Sequence, residues 1–185
     1  HLPAELLPAA RSAAADFPLC VPREFISRMT PGDVNDPLLR QVLPLDAELQ
    51  ETRGYSQDAV GDLDSLKDGG ILHKYRGRAL LIATGSCAIH CRYCFRRHFP
   101  YQEINASQLN WHPAIKQLEN DHSIEEVILS GGDPLMLSDR RLGDLITQLK
   151  QNPRIKRLRI HSRNPVVLPQ RITDNLVAQL ADNGL

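Results

Sequence analysis

The pattern of apolar positions divides the chain near residue 70. Before that point prolines interrupt short apolar groups, and the spacing predicts a helical segment with loops over residues 1–70. After it, a continuous apolar run at residues 79–84 and shorter strand-like segments at residues 126–130 and 157–161 predict three short strands. An apolar run without alternation is typical of a strand that is buried on both faces, as in a parallel sheet.

Amphipathic stretches follow these strands and predict helices over residues 107–122, 138–150 and 169–182. Ser138 is a plausible N-cap for the second helix. In the N-terminal segment, four apolar residues also fall at helical spacing after a turn at residues 35–37. The positions expected to face inward are Leu38, Leu39, Val42 and Leu43, then Leu109, Ile115 and Leu118, then Leu142, Leu145, Ile146 and Leu149, and finally Ile172, Leu176, Val177 and Leu180.

The alternation of strand, loop and helix occurs three times, so residues 71–185 predict an α/β domain with a parallel sheet built from βα units. In such sheets the chemistry lies on loops at the carboxyl ends of the strands. Three loops with polar or reactive residues, at 85–99, 130–137 and 161–168, leave those ends. The sequence therefore places its candidate chemistry on one edge of the sheet.

Three cysteines, Cys87, Cys91 and Cys94, have the spacing C-x3-C-x2-C, and no fourth cysteine follows. Three thiolates can hold three corners of a [4Fe–4S] cluster and leave one iron open to a non-protein ligand. S-adenosylmethionine carries radical chemistry and is a candidate for that ligand. A structural zinc site with His90 or His98 as the fourth ligand is the main alternative.

Composition narrows the possible partners. The chain has 185 residues, enough for one domain, and 22 basic residues balance 22 acidic ones, so charge favours neither nucleic acid nor a membrane surface. No apolar run is long enough to cross a bilayer and none reads as a signal peptide. We therefore predict a cytoplasmic protein with reduced thiols, in which disulfides are disfavoured. The isolated Cys20 is typical of a small buried apolar residue.

Several blocks extend the cysteine motif into a family resemblance. Residues 73–81, 91–101, 130–135 and 157–163 resemble the lysine 2,3-aminomutase family of radical S-adenosylmethionine enzymes. Residues 21–25 and 36–42 resemble the branch of that family that serves β-lysylation of elongation factor P. The resemblance implies a partial (β/α)6 barrel of about three βα units over residues 71–185, preceded by the helical segment over residues 1–70.

The resemblance also implies roles for residues near the cysteines, which would themselves ligate the iron. Arg96 would pair with the substrate carboxylate, for which a guanidinium fork is well suited. S-adenosylmethionine would contact Tyr93, Ser130, Gly131, Gly132, Asp133 and His161. The residue types alone also fit a solvated basic face around Arg96, a Gly-Gly-Asp-Pro turn, and a hydrogen-bonded core histidine at His161.

Pyridoxal 5'-phosphate is the third cofactor that the resemblance implies, with contacts at Lys74, Tyr75 and Arg78. The family usually has arginine where Lys74 stands, so the charge is kept but the planar fork is lost. The residues alone also fit basic positions flanking a buried strand. The family's pyridoxal-binding lysine and its acceptors for the substrate ε-ammonium have no counterpart in this sequence. We therefore expect an N-terminal fragment that does not turn over by itself.

The implied function is that of an isomerase, an intramolecular aminomutase that converts L-lysine to β-lysine. Its implied partners are L-lysine, a reductant such as flavodoxin and, functionally, elongation factor P. Two alternatives remain open from the sequence. One is another radical S-adenosylmethionine enzyme without pyridoxal phosphate, and the other is a zinc-stabilised binding module.

Overall fold

The structure, a computed structural model, describes residues 2–104 and 109–181. Contacts between residues divide this part of the chain into two compact units. Unit 1 contains the described residues up to Val60 together with Ala88–His98, and unit 2 contains Gly61–Cys87 and the described residues from Phe99 onward. The cysteine segment is thus shared, with Cys87 in unit 2 and the other two motif cysteines in unit 1. The predicted boundary at residue 70 stays a prediction.

Unit 1 is built from short helices and turns. Helix α1 spans Leu6–Asp16 and α2 spans Arg23–Ile26, and single 3-10 turns cover Leu39–Gln41 and Asp46–Leu49. The apolar residues at helical spacing in this unit form only the first of these turns. Prolines at positions 37 and 44 flank the segment and leave no room for a longer helix.

Unit 2 contains one open five-stranded sheet in the order β1-β2-β3-β4-β5. The strands are β1 (Leu66–Lys67), β2 (Ile71–Tyr75), β3 (Arg78–Thr84), β4 (Glu126–Gly131) and β5 (Arg157–Ile160). The strands β3, β4 and β5 are parallel neighbours, which confirms the predicted α/β class and agrees with part of a (β/α) barrel.

The two antiparallel strands at the edge of the sheet were not predicted. A two-residue connection through Arg76 and Gly77 joins β2 to β3, and Tyr75 pairs directly with Arg78. Gly77 has φ +83°, a left-handed conformation that glycine adopts without a Cβ penalty. Glycine between two strand-like runs is the signal in the sequence that indicates this hairpin.

The described residues of unit 2 form five α-helices: α3 (Tyr101–Ile104), α4 (His112–Asn120), α5 (Asp139–Lys150), α6 (Asn164–Val167) and α7 (Asp174–Ala181). Helix α5 confirms its prediction, since the Ser138 hydroxyl caps it by accepting a bond from the Arg141 N–H at 3.4 Å. All four of its expected inward residues are buried. They join a core that also contains Leu81, Val127, Leu129 and Leu118.

Three inward positions were wrong. Leu109 is exposed because Asn110 and Trp111 have φ +49° and +57°, so α4 starts only at His112. Ile172 is exposed because it precedes α7, which Thr173 caps by accepting a bond from the Leu176 N–H at 3.2 Å. Within α7, Leu176 is buried whereas its neighbour Val177, about 100° further round the helix, is exposed.

Parts of two predicted helices, residues 107–108 and Asp182, lie outside the described residues. Between residues 2 and 104 and from 109 to 181, no helix is both long and apolar enough to cross a membrane.

Candidate active site at the cysteine segment

In unit 2, the carboxyl ends of β3 and β4 lead into two loops that bond to each other through their backbones. The Gly132 N–H donates to the Thr84 carbonyl and the Asp133 N–H donates to the Ser86 carbonyl, both at 2.8 Å. Cys87 directly follows Ser86. The parallel register of the strands therefore brings the predicted glycine loop onto the backbone that presents the first cysteine.

The two glycines of this loop are required by contact between the backbones. Gly131 has φ +109°, and a Cβ there would lie 2.6 Å from the Thr84 carbonyl oxygen. A Cβ on Gly132 would lie 2.3 Å from the Ser86 carbonyl oxygen. Both distances are too short for real side chains, so glycine is needed even before any ligand binds. The predicted contact of these residues with S-adenosylmethionine stays a prediction.

Asp133 joins the β4 loop to the segment after β5. Its carboxylate, 5% exposed, accepts bonds from the Ser162 hydroxyl at 2.8 Å and the Arg163 N–H at 2.8 Å. It also accepts bonds from the Leu135 N–H at 2.9 Å and the Asn164 N–H at 3.2 Å. An ammonium on this carboxylate would have to share it with these four donors, so the geometry favours a structural role for the side chain.

The other predicted contacts in unit 2 differ in exposure. Ser130 is buried at the end of β4, whereas the His161 side chain is exposed directly after β5. The His161 N–H extends the sheet ladder by donating to the Leu129 carbonyl at 2.9 Å. The core-histidine interpretation is therefore wrong, and an exposed imidazole lies at the same sheet edge as the glycine loop.

In unit 1, Cys91 and Cys94 form no disulfide and are half-buried, and one turn joins them through a 3.0 Å bond from the Cys94 N–H to the Cys91 carbonyl. Burial raises the pKa of the Cys94 thiol, although a bond from the Arg96 backbone opposes the shift. Without a metal this thiol is protonated at neutral pH, and iron would have to displace the proton.

Arg92 lies between these two cysteines in the chain, and its side chain is bound by other residues of unit 1. Its Nε donates to the Glu48 carboxylate at 2.9 Å, and its Nη1 donates to the Phe17 carbonyl at 2.8 Å. Arg97 also donates to Glu48, at 2.9 Å, and to Asp16 at 2.7 Å. The two guanidinium groups lie over the Phe17 ring, 4.8 and 4.9 Å from its centroid.

His90 attaches the start of the same segment to residues 17–20. Its ring stacks on Phe17 with centroids 4.7 Å apart, and its Nδ1 lies 2.7 Å from the Pro18 carbonyl. Its N–H donates to the Cys20 carbonyl at 2.9 Å. Cys20 is half-buried rather than buried, and its thiol lies 3.5 Å from the Ala88 carbonyl. One of the two histidines considered as a fourth zinc ligand, His90, is thus used in packing.

Tyr93 and Arg96 each contact another side chain of unit 1. Tyr93 is 62% exposed, and its hydroxyl donates to the Gln41 side chain at 3.3 Å. The Arg96 guanidinium lies 4.7 Å from the centroid of the exposed Phe95 ring. A groove of about 1140 Å³ in unit 1 reaches Cys94 and Phe95, which is room for a small polar substrate.

The predicted pyridoxal phosphate contacts lie at the opposite end of the strand from the cysteine motif. Arg78 begins β3, whereas Gly85 follows its end, and a strand of seven residues spans roughly 20 Å. Lys74 forms an ion pair with the buried Asp62, and Tyr75 is exposed. The structure therefore does not bring these three residues together with the loops at the carboxyl edge, and their role stays a prediction.

The donor chemistry of the motif fits an iron–sulfur cluster. None of the four cysteines forms a disulfide, and the three in the motif are half-buried within one short segment. Thiolates are the usual ligands of such clusters. Among residues 2–104 and 109–181, no group of three or more histidine, cysteine, aspartate or glutamate side chains is already arranged to hold a metal ion. The fit therefore rests on the type and spacing of the donors.

Sequence reasoning missed the residues that hold this site in place. Glu48 and Phe17 contact Arg92 across 44 and 75 positions of the chain, and Ser162 contacts Asp133 across 29. No local pattern signals such pairs. The contact of the Glu48 carboxylate with Arg92 and Arg97 can be recognised only once the fold is known.

Comparison with known proteins adds independent findings. Residues 81–185 match the family model of the radical SAM superfamily. The chain is 51% identical over 159 residues to L-lysine 2,3-aminomutase from Escherichia coli strain K12, an alignment that covers 86% of this chain and 46% of that protein. It is 44% identical over 163 residues to the Haemophilus influenzae protein of the same name, covering 88% of this chain and 48% of that protein.

A more distant relative is the L-lysine 2,3-aminomutase from Clostridium subterminale, 37% identical over 140 residues, or 75% of this chain and 34% of that protein. The chain spans about half the length, or less, of the curated relatives it matches.

Proposed function

This chain belongs to the radical SAM superfamily, and on that premise we propose that the intact protein is an L-lysine 2,3-aminomutase. It would be an isomerase that moves the amino group of L-lysine from C2 to C3. The activity of the whole protein is a proposal, because the relatives named L-lysine 2,3-aminomutase align with most of this chain over only part of their own length.

One observation carries the proposal. The Gly131–Asp133 loop bonds through its backbone to the residues that present Cys87, at the carboxyl edge of a parallel sheet. This edge is where α/β folds bind their ligands. A chain 51% identical to a lysine 2,3-aminomutase over 159 residues combines this edge with the C-x3-C-x2-C spacing.

Each cofactor has candidate residues in the chain. Cys87, Cys91 and Cys94 would hold a [4Fe–4S] cluster, which together with S-adenosylmethionine supplies radical chemistry when bound. The exposed His161 and Tyr93 offer flat surfaces to an adenine. We assign to S-adenosylmethionine the backbone of the Ser130–Asp133 loop, because its side chains are small or already bonded within the protein.

Arg96 would position the substrate. A guanidinium can bind a carboxylate through two parallel hydrogen bonds, which fixes both the distance and the orientation of an amino acid. Arg92 and Arg97 instead bind Glu48 and Asp16. The family resemblance assigns the substrate carboxylate to Arg96, two positions after Cys94.

Pyridoxal phosphate, a reductant such as flavodoxin, and the link to elongation factor P are finer parts of the same proposal. The names of the relatives support lysine as substrate. Tyr75 and Arg78 are exposed and could contact a phosphate, whereas Lys74 would first have to leave Asp62. Four cysteines that form no disulfide support a reducing, cytoplasmic location.

The position of these residues also favours a second candidate. Lys74, Tyr75 and Arg78 lie at the amino end of β3, away from the cysteine motif. A radical S-adenosylmethionine enzyme without pyridoxal phosphate would need no such contacts. The two candidates differ in absorbance, since a bound pyridoxal absorbs visible light and would be lost after treatment with a carbonyl reagent.

The test is an anaerobic assay of the intact protein with iron, sulfide, S-adenosylmethionine, pyridoxal phosphate, a reductant and L-lysine. We expect β-lysine, detected by mass spectrometry, and brown protein with about four irons per chain. Formation of 5'-deoxyadenosine without β-lysine would favour the second candidate. Stoichiometric zinc without sulfide would refute both and leave the zinc-stabilised module.

A further inference from the structure

We propose that Phe17, Glu48, Arg92 and Arg97, which we call the Glu48 clamp, position the segment that carries Cys91 and Cys94 and set the properties of the metal site formed there. The inference rests on the proposed function for the identity of the metal group. The contacts themselves belong to unit 1 alone and exist without any ligand.

Several hydrogen bonds meet at Glu48 and Arg92. Glu48 accepts bonds from Arg92 and Arg97, and its carboxylate also accepts a bond from the Leu45 N–H at 3.1 Å. The Arg92 N–H donates to the Gln41 carbonyl at 2.8 Å, while the guanidinium reaches Phe17. The residue that follows Cys91 is therefore held at both its backbone and its side chain.

The charged side chains of the clamp are also largely buried. Those of Arg92, Arg97 and Glu48 are 6%, 11% and 14% exposed. Ion pairs on the surface contribute little to stability. Removing one partner from a carboxylate that is largely buried between two guanidinium groups costs much more, because it leaves a charge away from water without its partner. Burial alone would raise the pKa of Glu48, yet bonds from Arg92, Leu45 and Arg97 hold it below its usual value, so the carboxylate is ionised at neutral pH.

The charges of the clamp also bear on the metal site. The two arginines of the clamp are balanced by Glu48 and Asp16, so the surroundings of the cysteines gain little net charge from them. An iron–sulfur cluster becomes more negative when it is reduced, and its potential depends on nearby charge, hydrogen bonds and exposure. Removal of the Glu48 charge would leave one uncompensated cation, because Asp16 still pairs with Arg97. The added positive charge would stabilise the reduced form and raise the reduction potential.

The clamp therefore has two separable actions. Glu48 acts through charge and through geometry, whereas the Phe17 ring acts through geometry alone, by stacking on His90 and lying beneath both guanidinium groups. None of these residues is a metal ligand in the proposal. They are positioning residues, and their effect reaches the metal through the segment that carries the thiols.

The test compares Glu48→Gln, Glu48→Asp and Phe17→Leu in the intact protein. The matched control is Glu126→Gln, because Glu126 is a buried carboxylate that is also bound by two arginines, Arg157 and Arg159, but at the start of β4. We expect Glu48→Gln to raise the reduction potential and to speed iron release to a chelator about tenfold or more, while Glu48→Asp restores the potential. Phe17→Leu should speed release without a shift in potential.

A second readout needs no metal. Trypsin cleaves after arginine, and in the clamp Arg92 and Arg97 are almost inaccessible. Mild digestion of the metal-free protein should cut after these residues about tenfold faster in Glu48→Gln and Phe17→Leu than in the wild type or Glu126→Gln. A segment held only by the metal would be cut equally fast in all four proteins.

The outcomes separate the clamp from the proposed function. Equal trypsin rates in wild type and Glu48→Gln, or an equal shift of potential in Glu126→Gln, would overturn the clamp. Wild-type protein that binds iron without sulfide, or zinc, would overturn the proposed function, and the digestion rates would still decide the clamp.

Discussion

Two glutamates, the half-buried Glu48 and the buried Glu126, are each bound by two arginines, yet they stabilise different kinds of structure. Glu126 begins β4 and binds Arg157 and Arg159 of the adjacent β5, whose register the sheet ladder already determines. Glu48 binds arginines of a segment without regular structure, 44 and 49 positions away. The ion pairs of Glu126 therefore reinforce strands that the sheet already orders, whereas those of Glu48 order a segment that has no helix or strand of its own.

The difference extends to the two parts of the cysteine segment. Cys87 follows a buried strand, and the loop beside it is bonded through backbone groups and shaped by glycines. Cys91 and Cys94 lie where side chains from distant positions supply the order. We therefore expect unit 2 to be sensitive to changes that add volume near the backbone, and unit 1 to changes that remove polar or aromatic groups.

The largest expected effect comes from the motif cysteines, one of which belongs to unit 2 and two to unit 1. Replacement of any one of Cys87, Cys91 and Cys94 by Ala should abolish the four-iron cluster, because two thiolates cannot hold it in place of three. Iron and sulfide analysis after anaerobic reconstitution measures this. Cys20→Ala is the control and should keep the full iron content; loss of the cluster in this variant would contradict the assignment.

Next in size is the effect at Arg96 of unit 1, the arginine proposed to bind the substrate carboxylate. Arg96→Lys should lower kcat/KM for lysine about ten- to a hundredfold, because a point charge replaces a bidentate fork and a charge-assisted bond is worth about 1.5–3 kcal/mol. Cluster content should not change. Arg40→Lys, at an exposed position of the same unit, provides the matched control. Full turnover in Arg96→Lys would refute the carboxylate role.

A smaller effect is expected from the backbone contact in unit 2. Gly132→Ala should destabilise the intact protein by about 1–3 kcal/mol, because the new methyl group would lie 2.3 Å from the Ser86 carbonyl oxygen. Urea unfolding measures the loss, and binding of S-adenosylmethionine should weaken with it. The contrasting variant is Gly143→Ala.

At Gly143 the methyl group would meet the end of the Gln179 side chain, at 2.4 Å, inside helix α5. That side chain can rotate and alanine favours a helix, so we expect little change or a gain in stability. An equal loss in both variants would mean that the close approach of the two loops has no special importance.

The smallest expected effect is a pH dependence at Glu126. A hydrogen bond from Arg157, opposed by burial and aided by Arg159, holds the pKa of Glu126 below 4.5, its usual value. Its stabilising contribution is therefore complete above the unfolded pKa and is lost as the pH falls through the lower folded pKa. Glu126→Gln should reduce the change in the free energy of unfolding between about pH 6 and about pH 3. The effect should be small, because both arginines are exposed and screened. An unchanged pH dependence would show that the pair contributes nothing.

Much of unit 2 could be predicted because local pattern and tertiary role coincide there. Buried strands such as β3 need continuous apolar runs, and α5 combines an N-cap with an apolar stripe. The prediction failed where backbone conformation decided the outcome, as at Asn110 and Trp111, and where one residue separates inward from outward positions, as at Val177. The family assignment was confirmed because its motifs are contiguous in the chain.

The sequence by itself determined the spacing of three thiols and their place after a strand, because both depend on neighbours along the chain. It also determined the radical SAM family and the edge of the sheet on which the candidate site lies. Only the tertiary structure decided that Glu48 and Phe17 hold Arg92, that Asp133 binds Ser162, and that Lys74 lies with Asp62. The physical reason is that a hydrogen bond or ring contact depends on distances of a few ångströms in space, and these pairs are brought together only when the backbone between them has folded.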